Sequence, residues 1–486
     1  MGMTRLGWLS PVVVGGVLAL TGFALAGPAK VYVADEEGNT LTVLDGISFA
    51  RLAAIPVGRG PHNVQVSPDG KLAWVTNEGL PEAIPEHREM PKREHEAMGH
   101  AYAVVGAGRQ GTAAAYDMAK FGEADEVILA DIELPRARKA ASRVNKLLGV
   151  RVARGVAADV RRPASVLKAI RGADVFLSAV PYFFNLGLAR LALQAKISMV
   201  DLGGNTGIVR KELAMDRRAR KAGIVIVPDC GMGPGLNITL SVYAMELLDV
   251  AEHVYVYDGG LPIDPKPPWN YELTFNVEGL TNEYDGPATY LRDGKIAEVP
   301  EFSELEAVDV PGVGRLEAFV AAGGLSTAPW SFLGKLTTYQ NKILRYPGHF
   351  AQMSAFRDLG LFRRTPLDVD GVPVVPRRVF HALFEPKVTP NAIRDVCIER
   401  AVALGRKDGR RAEAVVDLVD RYDEATGFTS MERLTGWHAA IAAEMIAMGT
   451  ISSGARPVEL AIPARPFVAE ARRRGLNVTE RVGYRA

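Results

Sequence analysis

Ala101-Tyr102-Ala103-Val104-Val105-Gly106-Ala107-Gly108-Arg109-Gln110-Gly111 is the stretch on which the fold turns. Five apolar or aromatic residues make a short strand. Gly106, Gly108 and Gly111 follow in G-x-G-x-x-G spacing, ahead of an Ala-rich run from Thr112 to Lys120 that Phe121-Gly122 closes. Between a strand and a helix this spacing predicts a dinucleotide site. The first glycine permits the tight turn, the second lets backbone approach a pyrophosphate, and the third lets the helix pack on the strand. The phosphates then rest on amides at the positive end of the helix, so Arg109 and Gln110 join the glycines as cofactor-binding candidates.

Working outward, a second strand from Glu126 to Ala130 ends at Asp131, twenty positions past Gly111. A carboxylate there accepts hydrogen bonds from ribose hydroxyls and repels a 2′-phosphate, so NAD is the expected cofactor. Arg136 and Arg138 lie close by and keep NADP as the alternative. Further apolar runs end at Asp159, Pro181, Asp201 and Asp229, with helical stretches between them such as Pro163 to Arg171. Strands alternating with helices predict an α/β, doubly wound parallel Rossmann sheet over residues 98–230. Ligands in such sheets sit beyond the carboxyl ends of the strands. Asp159, Val180, Tyr182 and Asp201 are therefore expected around the nucleotide, with Asp229-Cys230-Gly231 beside them. Asp201 and Asp229 read equally well as caps of the turns that follow.

Composition bounds the rest. The 486 residues amount to roughly three domain-sized units. With 48% hydrophobic and 23% charged residues, a disordered, collagen-like or coiled-coil chain is excluded. Lys and Arg number 57 against 56 Asp and Glu, so no charge excess calls for a nucleic-acid partner. Two cysteines, Cys230 and Cys397, exclude a disulfide framework and a cysteine-based zinc site. His87, His95 and His100, with Met90 and Met98, fit no compact ligand spacing, and no metal is expected.

The first 97 residues follow a different plan. Arg5, the apolar run from Pro11 to Ala26 and the small residues Ala24-Leu25-Ala26-Gly27 have the three parts of a secretory signal peptide, predicted over residues 1–27. Residues 28–77 alternate short strands with turns, including Gly58-Arg59-Gly60-Pro61-His62 and Ser67-Pro68-Asp69-Gly70. Trp74 in the closing strand stands 42 positions after Tyr32 in the opening one, the period of a four-stranded propeller blade. These residues resemble the YVTN-type β-propeller repeat family over a single blade, a fragment of a closed propeller. Residues 78–97 read as a solvated linker. No segment elsewhere is long and apolar enough to suggest a membrane partner.

Past Gly235 the pattern becomes α+β, predicting a substrate domain over residues 231–429, with 430–486 folding back on the nucleotide domain. Val200-Asp201-Leu202-Gly203-Gly204, Gly233-Pro234-Gly235, Val277-Glu278-Gly279-Leu280 and Leu344-Arg345-Tyr346-Pro347-Gly348-His349 occur in order along it. With Leu316-Glu317-Ala318-Phe319 and Gly405-Arg406-Lys407-Asp408-Gly409, the chain from Met98 onward resembles the saccharopine dehydrogenase superfamily, most closely its lysine 6-dehydrogenase branch.

That resemblance implies oxidation of an amino-acid amine carbon, with hydride passing to NAD, the amine proton to a base, and water hydrolysing the imine. Arg345 is the candidate clamp for the substrate carboxylate, since a guanidinium fork matches it bidentately. His349 is the candidate proton shuttle, and Lys342 the competing base if burial lowers its pKa. Tyr182, Tyr271 and Glu278 are candidates for lining the pocket. Saccharopine or carboxynorspermidine-type chemistry stands as the alternative. The resemblance also implies a homodimer or homotetramer, and a cytoplasmic enzyme starting at Met98. The signal-like segment argues instead for export, and with it a secreted binding or sensor protein of another class altogether.

Overall fold

The structure is a computed structural model, and it describes residues 30–35, 40–45, 50–56, 61–66, 73–77 and 99–485. The chain divides into two compact units, Met1–Ala97 and Met98–Ala486. The signal-like and linker segments lie outside the described residues. In the first unit, Lys30–Asp35, Thr40–Asp45 and Arg51–Pro56 form a three-stranded antiparallel sheet, while Pro61–Val66 and Ala73–Asn77 form a separate antiparallel pair. The single four-stranded sheet expected of one blade is thus replaced by a three-plus-two arrangement among the described residues.

In the second unit, seven parallel strands form the nucleotide sheet. Their order is Gly454–Ala455, Val225–Val227, Ser198–Asp201, Val175–Ser178, His100–Val105, Ala124–Asp131 and Ala153–Ala157. The chain starts in the middle, winds outward to one edge and then returns to wind the other way. Covered on both faces, these strands read as unbroken apolar runs rather than alternating ones; Tyr102, Ala103 and Val104 are fully buried.

A second, mixed sheet carries the substrate side. Its strands run in the order Lys295–Val299, Ala288–Arg292, Thr338–Arg345, Val250–Pro262, Asp395–Lys407, Arg410–Arg421 and Val478–Tyr484. The hairpin of Glu306–Val310 and Gly314–Phe319 pairs onto Thr338–Arg345. The 430–486 segment is shared between the sheets: Gly454–Ala455 extends the first and Val478–Tyr484 the second.

The two sheets are joined through a helix pair. Arg109–Phe121 packs on Ser430–Ala447, whose start is fixed by a capping box in which Thr429 and Glu432 satisfy each other's backbone amides. Small residues let these helices touch: Ala113, Ala114 and Ala115 are fully buried, and a Cβ on Gly436 would lie 2.8 Å from Gln110 O and Ala114 N. Behind them, the Arg474 guanidinium is completely buried between Asp117, Glu444 and Glu470.

Candidate active site

The turn after His100–Val105 has the geometry that a pyrophosphate requires. Gly106 has φ +110°, and a Cβ there would stand 2.4 Å from Ala179 O, with Val180 Cγ1 next at 3.1 Å. A Cβ on Gly111 would stand 2.0 Å from Gly106 O, so the helix start lies directly on the turn. Around the Cβ direction of Gly108 there is nothing within 4 Å, which is the open approach a diphosphate needs. Asp131 closes the second strand, where Oδ2 accepts from Ala107 N at 3.0 Å and Oδ1 from Glu133 N at 2.9 Å. Arg136 reaches to 3.7 Å of the same carboxylate. These residues fit a dinucleotide: a bare glycine floor for the phosphates and a carboxylate at the strand end for the ribose.

The other cofactor candidates divide. Val180 borders the glycine turn. Asp159 stands beyond the third strand with its carboxylate held by Arg161 at 2.9 Å. The Arg109 side chain turns away, to Glu432 at 2.7 Å, so a phosphate role for Arg109 rests on its backbone alone. Tyr182 lies against Gly204, whose Cβ would be 3.2 Å from the tyrosine Cβ.

At the far strand ends three carboxyl groups are buried together. Asp201 Oδ1 accepts from Gly203 N at 2.7 Å, so this residue is a turn cap, while its Oδ2 has no partner. Glu212, from Thr206–Leu213, and Asp229 are buried beside it. Asp229 takes up φ +62° and accepts from Ser326 Oγ at 2.5 Å. Burial raises all three pKa values, and their mutual repulsion adds to the rise at Glu212 and Asp229. Asp229 is pushed up to about 8 by burial and then by Asp201. The folded protein therefore holds the Asp229 proton over a pH range in which the unfolded chain, near 3.8, has lost it. Stability tied to this group is present at low pH and lost as pH rises toward about 8. Asp229→Asn, which cannot ionise, is expected to match the parent in Tm below the unfolded value of 3.8 and to exceed it by a margin that grows until about pH 8. Parallel melting curves across pH check this.

From Asp229 a chain of contacts runs to the second sheet. Asn237 Nδ2 donates to Gly324 O at 2.8 Å, a Cβ on Gly324 would meet Asn341 Nδ2, and Asn341 Nδ2 donates to Asp258 Oδ1 at 3.1 Å. Asp258 Oδ2 lies under Gly233, and Glu399 is the cross-strand partner of Asp258. Burial pushes Asp258 up to about 6 against the pull of Asn341 and Arg345, and both Glu399 oxygens are buried without partners.

Two residues along its strand from Ile343, and on the same face as Asn341, is Arg345, only 3% exposed. Its Nη2 donates to Glu283 at 3.0 Å, Nη1 to Leu344 O at 2.9 Å and Nε to the Tyr284 hydroxyl at 3.2 Å. Three of its five donors are engaged, leaving two for a ligand. The Tyr284 hydroxyl also lies 2.8 Å from His349 Nε2, and the imidazole tautomer sets which of the two donates. Burial, reinforced by Arg345, holds His349 well below its ordinary pKa, so the ring is neutral, and its Nδ1 has no partner. The Tyr271 ring lies 5.0 Å from the His349 ring, tilted 45° to it, with its own hydroxyl unpartnered. The structure thus brings Arg345, His349 and Tyr271 together.

Two candidates do not join them. Alternation along Thr338–Arg345 sends Lys342 to the opposite face of the sheet, where it donates to Glu306 at 3.0 Å and Glu304 O at 2.8 Å. Lys342→Met is accordingly expected to leave kcat within a few-fold of the parent, whereas Arg345→Met costs about 100-fold or more in kcat/KM; steady-state kinetics on both variants checks it. Glu278 is half-exposed and bound up with Arg364, Arg377 and His381. One and a half turns further along the same helix, Glu283 and Tyr284 are the residues that reach Arg345. Sequence reasoning missed these two and Asp258. Their only signal was proximity in sequence to Glu278 and to Tyr257.

Comparison with known proteins now decides the family. The model of the saccharopine dehydrogenase C-terminal domain matches residues 231–476, and that of the saccharopine dehydrogenase NADP binding domain matches residues 102–227. The chain belongs to the saccharopine dehydrogenase family. Residues 102–227 are its NAD(P)-binding domain. Mitochondrial alpha-aminoadipic semialdehyde synthase of Mus musculus is 26% identical over 218 residues, 42% of this chain and 23% of that protein. Saccharopine dehydrogenase [NADP(+), L-glutamate-forming] of Pyricularia oryzae is 21% identical over 380 residues, 63% of this chain and 83% of that one. The chain thus spans about a quarter of the length of the synthases it matches. Among solved structures, apo saccharopine dehydrogenase (L-Glu forming) from Saccharomyces cerevisiae superposes with a TM-score of 0.64 at 19% identity, covering 79% of this chain and all of that one; this likeness shows the fold.

Proposed function

We propose that the protein is an NAD-dependent amine dehydrogenase that oxidises L-lysine at its 6-position. The observation that carries this reading is the set of groups along the contact chain, carboxyls that can hold an amine and a single guanidinium. Asp229, Asp258, Glu283 and Glu399 are carboxyl groups, and the one guanidinium among them, Arg345, is already paired. Such a lining suits an amine with one carboxylate better than saccharopine, whose extra dicarboxylate arm calls for further cations. In this reading the two remaining Arg345 donors take the substrate carboxylate. With its own proton on Nε2 and directed at the Tyr284 oxygen, the neutral His349 ring accepts the amine proton at the unpartnered Nδ1. The bound nicotinamide supplies the hydride acceptor. The C–H and N–H lost from the amine leave an imine, and water converts it to ammonia and an aldehyde that cyclises to a piperideine-6-carboxylate. Gly106, Gly108, Gly111, Asp131 and Val180 hold the cofactor in this proposal, with Asp159 and Asp201 at its margins.

Glutamate-forming saccharopine dehydrogenation is the second reading, favoured by the activity for which the fungal relatives are named. Following nucleotide reduction at 340 nm with L-lysine and with saccharopine separates the two. Reduction with lysine and release of ammonia support the first, while reduction with saccharopine alone supports the second. Running each with NAD and with NADP settles the cofactor, on which Asp131 and Arg136 pull in opposite senses.

We further propose that residues 1–27 act as a signal-like segment and 28–77 as a blade-like fragment, and that the enzyme itself is cytoplasmic and starts at Met98. The support is the sequence pattern, together with the division of the chain at residue 97. The intact mass of the cellular protein tests it. Self-association as a dimer or tetramer is also proposed.

A further inference from the structure

Leu367–Val369 and Val372–Val374 form an antiparallel hairpin that pairs with no other sheet among the described residues. Its turn is well made: Asp370 and Gly371 have φ +53° and +83°, and Asp368 Oδ1 accepts from Gly371 N at 3.1 Å. Leu367 pairs with Val374 and Val369 with Val372, so all four apolar side chains share one face, with Asp368 and Pro373 on the other. That apolar face is open, with Leu367 44%, Val369 51% and Val372 58% exposed. The helix that follows, Pro376–Val388, adds Val379 and the 67%-exposed Leu383 one turn apart.

A two-stranded ribbon is marginal in water unless something covers it. Pro373 lacks an N–H, which disfavours addition of a further strand along that edge and leaves the face as the docking surface. Charge indicates the occupant. The exposed acids Asp368 and Asp370 lie at the hairpin tip, and the exposed bases Arg363 and Arg378 at its root. A two-fold axis beside the hairpin would set the tip of one copy against the root of the other, with the apolar faces between them.

We propose that this hairpin and the adjoining helix face form a self-association surface, and that the occupant is a second copy of this chain. The proposal rests on the reading that the protein self-associates, and it assigns the surface. Sedimentation velocity of the full chain tests it, against Val369→Asp/Val372→Asp and, separately, Leu383→Glu and Arg378→Glu. The expected result is a dimer or larger species in the parent and association weakened by more than tenfold in each variant, with Tm and NAD binding unchanged. Leu383→Glu and Arg378→Glu lie outside the hairpin, so they keep the test alive if the double variant fails to fold. A parent that stays monomeric overturns both the surface and the reading beneath it, and leaves the face to the first 97 residues or another partner. A parent that associates while folded variants associate equally well overturns the surface alone.

Discussion

Gly108→Ala is expected to keep the parent Tm and lose about 100-fold in NAD(P) affinity, roughly 2.7 kcal/mol. Two glycines of one motif differ in what an added methyl would meet. At Gly108 an added methyl meets nothing within 4 Å, so the folded protein accepts it. The space it fills is the space a diphosphate needs to approach the backbone amides. At Gly111 the methyl would stand 2.0 Å from the Gly106 carbonyl oxygen, so Gly111→Ala must push the helix off the turn and lower Tm as well as affinity. Nucleotide fluorescence titration and melting curves on the two variants separate the effects. If Gly108→Ala bound nucleotide as the parent does, the phosphates would not lie on this turn, and the site as drawn would be wrong.

Arg474→Met is expected to cost the most stability of any change outside the active site, about 3–5 kcal/mol, or a fall in Tm of roughly 5–10 °C. The guanidinium is wholly buried, with Nε on the Asp117 oxygens at 2.8 and 3.0 Å, Nη2 on Glu444 and Nη1 on Glu470 at 2.5 Å. These acids stand on three separate helices, Arg109–Phe121, Ser430–Ala447 and Ala464–Arg473. Methionine fills the volume and leaves Asp117 and Glu444 buried without a counter-charge. Burial already raises the pKa of both acids, so without Arg474 they protonate more readily still. The deficit should therefore shrink as pH falls toward 5, and Asp117→Asn in the Met background should recover part of it at pH 8. Melting curves at both pH values check this. A loss of only a degree at pH 8 would show that the helices are held by their apolar contacts instead.

Much of the nucleotide half was legible because its determinants are local. A glycine is demanded by its own φ or by an atom a few residues away, as Gly111 is by Gly106, and a buried parallel strand announces itself as an apolar run such as Ala103 to Val105. The substrate half was legible only as an ordered set of family motifs. Arg345 and His349 were readable because they stand four residues apart in one of those motifs. Lys342 was misplaced because neighbours along a strand point to opposite faces, and nothing local shows which face looks toward the nucleotide. Glu278 was named and Glu283 was not for a similar reason: both sit on one short helix, and only the packing of that helix decides which carboxylate meets Arg345.

The sequence by itself determined the parallel α/β sheet, the place of the glycine turn within it, the acid at the end of the second strand and the family. Each of these depends on residues close together or on a long collinear pattern. Tertiary structure alone decided that Glu283 and Tyr284 close on the buried Arg345, that the Arg109 side chain pairs with Glu432, and that the last fifty residues divide between two sheets. These pairings join residues up to 323 positions apart, the separation of Arg109 from Glu432. Over such separations, position in the chain carries no information about contact, and packing decides which charges meet.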